Sequence, residues 1–167
     1  MKAVKDLLDA LMNKLNGFEE SIHADDSILE GLPRSLQLDR YSCGAQSAYM
    51  ILRYHGKARS VKAVERALGT TEERGTPAAP ILRLMRQRRL RPRIVAEATM
   101  KTLTSAIDKG APVLVSLEDG GHWGVVYGYG AKHIWLADPS LRRAVLCRVA
   151  RAAFRARWDR WAMVVAA

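Results

Sequence analysis

Gln37-Leu38-Asp39-Arg40-Tyr41-Ser42-Cys43-Gly44 runs directly into Ala45, Ala48, Tyr49, Ile51 and Leu52. The apolar residues recur at spacings of three and four, the period of one helix face. Leu36 to Leu38 reads as a short extended segment, and Gly56, a residue type that tolerates the left-handed cap, closes the helix. Cys43 therefore falls at or within one residue of a helix N-terminus. The N–H groups of a first helical turn have no intrahelical partner, and the helix dipole is positive there. A cysteine attacks a carbonyl as its thiolate, the form favoured at such a position and beside a protonated imidazole. The same N–H groups can hold a developing oxyanion, and Gly44 would leave room for backbone to approach a substrate carbonyl.

Working outward, the first half of the chain reads as mostly helical. Val4, Leu7, Leu8, Leu11, Met12 and Leu15 form an amphipathic stripe over residues 3–15, and Gly17 to Pro33 reads as a loop or short helix. Residues 1–32 are thus an N-terminal helix and linker, and 33–167 the main domain. Ser60 to Leu68 suits a short helix ended by Gly69. Thr76-Pro77 is a cap and first-turn pair opening a helix to about Arg89, which Pro92 breaks, and Thr99 caps another through Lys109. Arg93 to Glu97 reads as a strand. From Pro112 the pattern changes to short β-rich segments: Pro112 to Leu117, His122 to Tyr129, Lys132 to Ala137, Ala144 to Val149 and Trp161 to Val165. A helical half followed by an antiparallel sheet predicts an α+β domain.

Two residues in that second half suit partners for Cys43. His122 follows the Gly120-Gly121 turn and opens an apolar strand, so its ring can face a cleft while Val125 and Val126 anchor the strand. Asp138, fixed by Pro139, ends the next strand, and antiparallel neighbours bring it to His122. Nucleophile, base and orienting group are the arrangement of acyl transfer. Gln37, in the extended segment, carries a neutral amide suited to a second oxyanion donor. Each residue also has a plainer reading, as a buried thiol, a hairpin or an Asp-Pro turn, and it is their joint order at element ends that favours the catalytic one.

Composition narrows the alternatives. With 27 Lys and Arg against 17 Asp and Glu, the net charge is +10, concentrated in Arg83 to Arg93 and Arg142 to Arg160. That field suits an acidic partner on an Arg-rich surface, against the plainer reading of a solvated face. Trp123, Trp135, Trp158 and Trp161 do not interleave with the Arg stretches as a base-stacking platform would, which argues against nucleic acid. His23, His55 and His133 have no second ligand at metal spacing and read as solvated or capping, so neither metal nor cofactor is expected. Cys43 and Cys147 exclude a disulfide framework, Cys147 reads as a core thiol, and a reducing cytoplasm is the expected compartment. No apolar stretch approaches the roughly 20 residues of a membrane span.

The segment Gln37 to Gly44, with Gly121-His122 and Ala137-Asp138-Pro139 downstream, resembles the bacteriocin-processing, double-glycine leader peptidase family, a branch of the papain-like cysteine peptidases. The resemblance covers about residues 33–145. It implies a papain-like fold, a Cys43–His122–Asp138 triad, and Gln37, six residues before the Cys, as oxyanion donor. It further implies a peptide or protein substrate, in some members a leader peptide. Many members carry an acidic residue just before the nucleophile and are fused to transmembrane and ATPase domains of an exporter. Ser42 stands at that position here, and these 167 residues hold no such domains, so a free-standing member is expected. Two other outcomes of the same scaffold stay open: a peptide-binding module that does not cut, and a transferase in which an amine or thiol intercepts the acyl-enzyme.

Overall fold

The computed structural model describes residues 25–140 and 146–167. The predicted N-terminal helix, His23, Arg142 and the start of the strand expected from Ala144 lie outside the described residues. The elements are β1 (Ser27–Ile28), α1 (Cys43–Tyr54), α2 (Val61–Leu68), α3 (Ala78–Gln87), β2 (Arg91–Val95), α4 (Met100–Ile107), β3 (Val113–Leu117), β4 (His122–Tyr129), β5 (His133–Ala137), β6 (Leu146–Ala150), α5 (Arg151–Arg157) and β7 (Trp158–Ala166). The class is α+β, with the helical first half packed against an antiparallel sheet, as the sequence predicts.

The sheet runs β2-β7-β3-β4-β5-β6, every neighbour antiparallel. β3 covers one edge of β4 over His122–Val126, and β1 takes over at Gly128 and Tyr129. A stretch expected to be loop or short helix therefore adds a strand, and Leu29 and Leu32 behind it enter the core. β3 and the inner part of β4 are buried throughout, so they read as continuous apolar runs, Val113-Leu114-Val115 and Val125-Val126-Tyr127. Each fully buried Leu or Val contributes about 1.5–3 kcal/mol relative to exposure.

α1 packs across β4 and carries α2 and α3, and α4 packs on β3 and β4. Met50, Ile51 and Leu52 of α1 are fully buried in this contact. Gly69 at the end of α2 has φ of 64°, a left-handed cap that costs glycine nothing. Thr99 and Thr102 form the reciprocal capping box that starts α4. Thr76 is not a cap: α3 begins behind Pro77, and Thr76 is buried. Nor is Pro92 inside the break that ends α3, which stops at Gln87. It lies within β2, the outermost strand, where a missing N–H leaves no neighbour unsatisfied.

Candidate active site

The register of β4 and β5 explains why two residues 16 apart in sequence meet. Val125 lies opposite Ala137, so the next pair outward is Gly124 with Asp138, and His122 shares Gly124's side of the strand. The His122 Nε2–H donates to Asp138 Oδ1 at 2.7 Å, with both side chains buried. With Nε2 engaged, Nδ1 is the nitrogen left to face Cys43, whose sulfur lies near enough to act on the ring's charge. Cys43 is the first residue of α1, 8% exposed, on the helix that packs against β4.

Opposing effects set the charge of the ring. Burial disfavours the imidazolium, but the Asp138 carboxylate and the Cys43 sulfur outweigh it and raise the His122 pKa to about 9. At neutral pH the ring is therefore cationic, donating one N–H to Asp138 and presenting the other to the sulfur.

Asp138 is itself held on three sides. Its Oδ1 also accepts the Ser140 N–H at 3.0 Å, and its Oδ2 accepts from the Arg157 guanidinium at 3.2 Å. Arg157 in turn pairs with Glu118 at 3.0 Å, joining the end of α5 to the turn before β4. Nothing in the sequence pattern marks Arg157, which sits among six other arginines from Arg142 to Arg160.

Gln37 is brought to the same place by main chain. Its N–H donates to the Pro139 carbonyl at 2.9 Å, docking the extended segment on the loop that follows Asp138. Its side-chain Nε2 donates to the Asp39 carbonyl at 2.8 Å, while Oε1 is buried with no hydrogen-bond partner. The Asp39 carbonyl fixes the amide's sense, because a flip would set two acceptors together. One amide hydrogen stays uncommitted. The Asp39 carboxylate accepts the N–H groups of Tyr41 at 2.9 Å and Ser42 at 2.7 Å, a side-chain turn that leads into α1. An Asp three residues ahead of the helix N-cap is a legible signal for that role.

Gly44 serves a different purpose from the one expected. A Cβ there would sit 2.6 Å from Thr76 Cβ and 2.8 Å from Trp123 Cδ1, so glycine is what lets both approach the start of α1. The Trp123 indole N–H then donates to the Thr76 carbonyl at 2.9 Å. Of the other described histidines, His55 is the C-cap of α1, as the capping reading expects, with Nε2 at 3.1 Å from the Val165 carbonyl, while His133 is not solvated but pairs with Asp26. Cys147 Sγ lies 3.5 Å from the Leu136 carbonyl, in the sheet and away from α1. Among the described residues no group of three or more His, Cys, Asp or Glu could hold a metal ion, and no helix is long and apolar enough to cross a membrane.

The family model described as "Peptidase C39 family" matches residues 32–167. No curated protein matches the chain significantly. Among solved structures, a double glycine motif protease from an AMS/PCAT transporter, in complex with the leader peptide, superposes with a TM-score of 0.69 at 18% identity, covering 84% of this chain and 94% of that one. The peptidase domain of Streptococcus ComA, a bi-functional ABC transporter involved in a quorum sensing pathway, gives 0.70 at 21% identity, covering 81% and 98%. The corresponding domain of Streptococcus mutans ComA gives 0.61 at 23%, covering 80% and 98%. At these identities the structural likeness is one of fold.

Proposed function

Because the chain belongs to the Peptidase C39 family, a family of cysteine peptidases, we propose that it cleaves a peptide, in the manner of leader processing, through an acyl-enzyme on Cys43. The Cys43 thiolate attacks the scissile carbonyl, and the oxyanion that forms is held by the Cys43 N–H and the uncommitted amide hydrogen of Gln37. The imidazolium of His122 gives its Nδ1 proton to the leaving amine, the C–N bond breaks, and a thioester remains. Water then attacks the thioester while His122 takes its proton, releasing the acid and restoring the thiolate. Asp138 keeps Nε2–H engaged, so the ring presents Nδ1 to the sulfur throughout.

The observation that carries this reading is a single imidazole bonded on Nε2 to a buried carboxylate and paired with the sulfur of Cys43, with its pKa raised to about 9. Acyl transfer uses that pairing directly, whereas a module that only held peptide would have no use for it. The test is alkylation by iodoacetamide near pH 7, mapped by mass spectrometry. Cys43 should react rapidly and ahead of Cys147, and His122→Ala should slow Cys43 alone. Slow, equal labelling of both thiols would remove the reading.

A further inference from the structure

A solvent-open cavity of about 480 Å³ lies where the β3–β4 turn, β7 and the start of α3 meet, lined by Ala78, Ser116, Asp119, Gly120, Trp123, Asp159 and Trp161. Its position follows from the chain: Trp123 is the neighbour of His122, and its ring is the atom group against which Gly44, the neighbour of Cys43, is packed. That packing sets one wall of the cavity against the start of α1, next to Cys43.

The lining has a definite chemistry. Trp123 and Trp161 meet edge to face with centroids 5.3 Å apart, and both are only partly buried. Asp159 is consumed in shaping the turn: it accepts the Ser116 hydroxyl at 2.5 Å and the N–H groups of Asp119 at 2.9 Å and Gly120 at 2.8 Å. The Asp119 carboxylate is exposed and has no hydrogen-bond or ion-pair partner among the described residues. In a chain carrying 27 Lys and Arg, no cation lines this cavity. Arg157 and Arg160 line an adjoining cavity with Asp119, where Arg157 is paired with Asp138 and Glu118 and Arg160 lies 3.9 Å from Glu97. An unpartnered carboxylate beside two indole surfaces fits a long cationic side chain, whose methylenes lie on the rings and whose charge meets both the aromatic faces and the acid.

Resting on the peptidase reading, we infer that the cavity is a substrate subsite selecting a lysine or arginine close to the scissile bond, with Asp119 as its charge partner and Trp123 and Trp161 as its walls. Selection here opposes the chain's overall +10 charge, which by itself would disfavour cationic peptides.

The probes are the Nα-acetyl N-methylamides of lysine, arginine, norleucine and glutamate, titrated into the full chain while the indole N–H resonances of Trp123 and Trp161 are followed by NMR. The lysine and arginine probes should give saturable shifts of both indoles, binding at least about tenfold more tightly than norleucine, with glutamate weaker still. Asp119→Asn should bring lysine down to the norleucine level. Asn also suits the left-handed φ of 54° at this position, so the variant should keep the wild-type spectrum elsewhere. No saturable shift, cationic probes no better than norleucine, or an Asp119→Asn variant that binds lysine like wild type would each overturn the subsite. If that happens while Cys43 is still alkylated selectively, the subsite alone is wrong; if lysine binds but labelling is not selective, the peptidase reading fails and a cation-binding cavity remains.

Discussion

The β4–β5 hairpin carries a histidine–aspartate pair at each end, and the two ends do different things. At one, His122 Nε2 meets Asp138 at 2.7 Å; at the other, His133 Nε2 meets Asp26 at 3.1 Å. Both carboxylates are almost wholly buried. Asp26 also accepts the Trp135 indole N–H at 3.3 Å, and the His133 ring stands edge-on to Trp135 at 5.5 Å. That pair fastens the segment around β1 to the sheet. The His122 pair has instead a sulfur on its other side, from the first residue of a helix. A buried His–Asp contact is therefore no mark of catalysis; what the imidazole's second nitrogen faces decides its use.

The sharpest way to break this contrast is to change each aspartate to its amide. Asp138→Asn should slow peptide cleavage by roughly 10²-fold, at the low end of what a positioned proton carrier contributes. It should also move the His122 titration, followed by NMR of the ring, from about 9 down towards the ordinary histidine range. Asp26→Asn should change neither. An equal loss of cleavage in both variants, in protein that remains folded, would erase the distinction drawn here.

A smaller effect follows from pH. The folded-state pKa of His122, about 9, lies above its ordinary 6.5, so the folded protein holds a proton that the unfolded chain releases between those values. The stability this supplies is complete below about pH 6.5 and lost as pH rises through about 9. Urea midpoints measured from pH 6 to 10 should fall more steeply for the wild type than for His122→Gln. Parallel curves would mean that the imidazolium is not held as described. Smallest is the purely structural arm: Asp26→Asn should cost about 1 kcal/mol, the net worth of a typical hydrogen bond, with iodoacetamide labelling of Cys43 unchanged.

The parts of the site that were legible are those standing at punctuation. Cys43 precedes a glycine and a helical stripe, His122 follows Gly120-Gly121, and Asp138 precedes proline, so local signals located all three near element ends. The strand His122–Tyr129 has the bounds its pattern predicts. What local signals could not carry was non-local. β7 inserts between β2 and β3, a pairing set by burial across the sheet rather than by any neighbour in sequence. α5 is a seven-residue helix of Arg and Ala around Phe154, too short for a readable period, so Arg157 behind Asp138 stayed hidden. Gly44 was read as making room for substrate because sequence gives no sight of Thr76 and Trp123 closing on it.

The hydrogen bond from the Gln37 N–H to the Pro139 carbonyl ties the stretch of chain ahead of Cys43 to the loop behind Asp138. Two segments 102 residues apart, one leading to Cys43 and one following Asp138, thereby share one hinge pin. Lengthening the stretch from Gln37 to Cys43 by even a single residue would force a choice between keeping that pin and keeping the Asp39 turn that leads into α1.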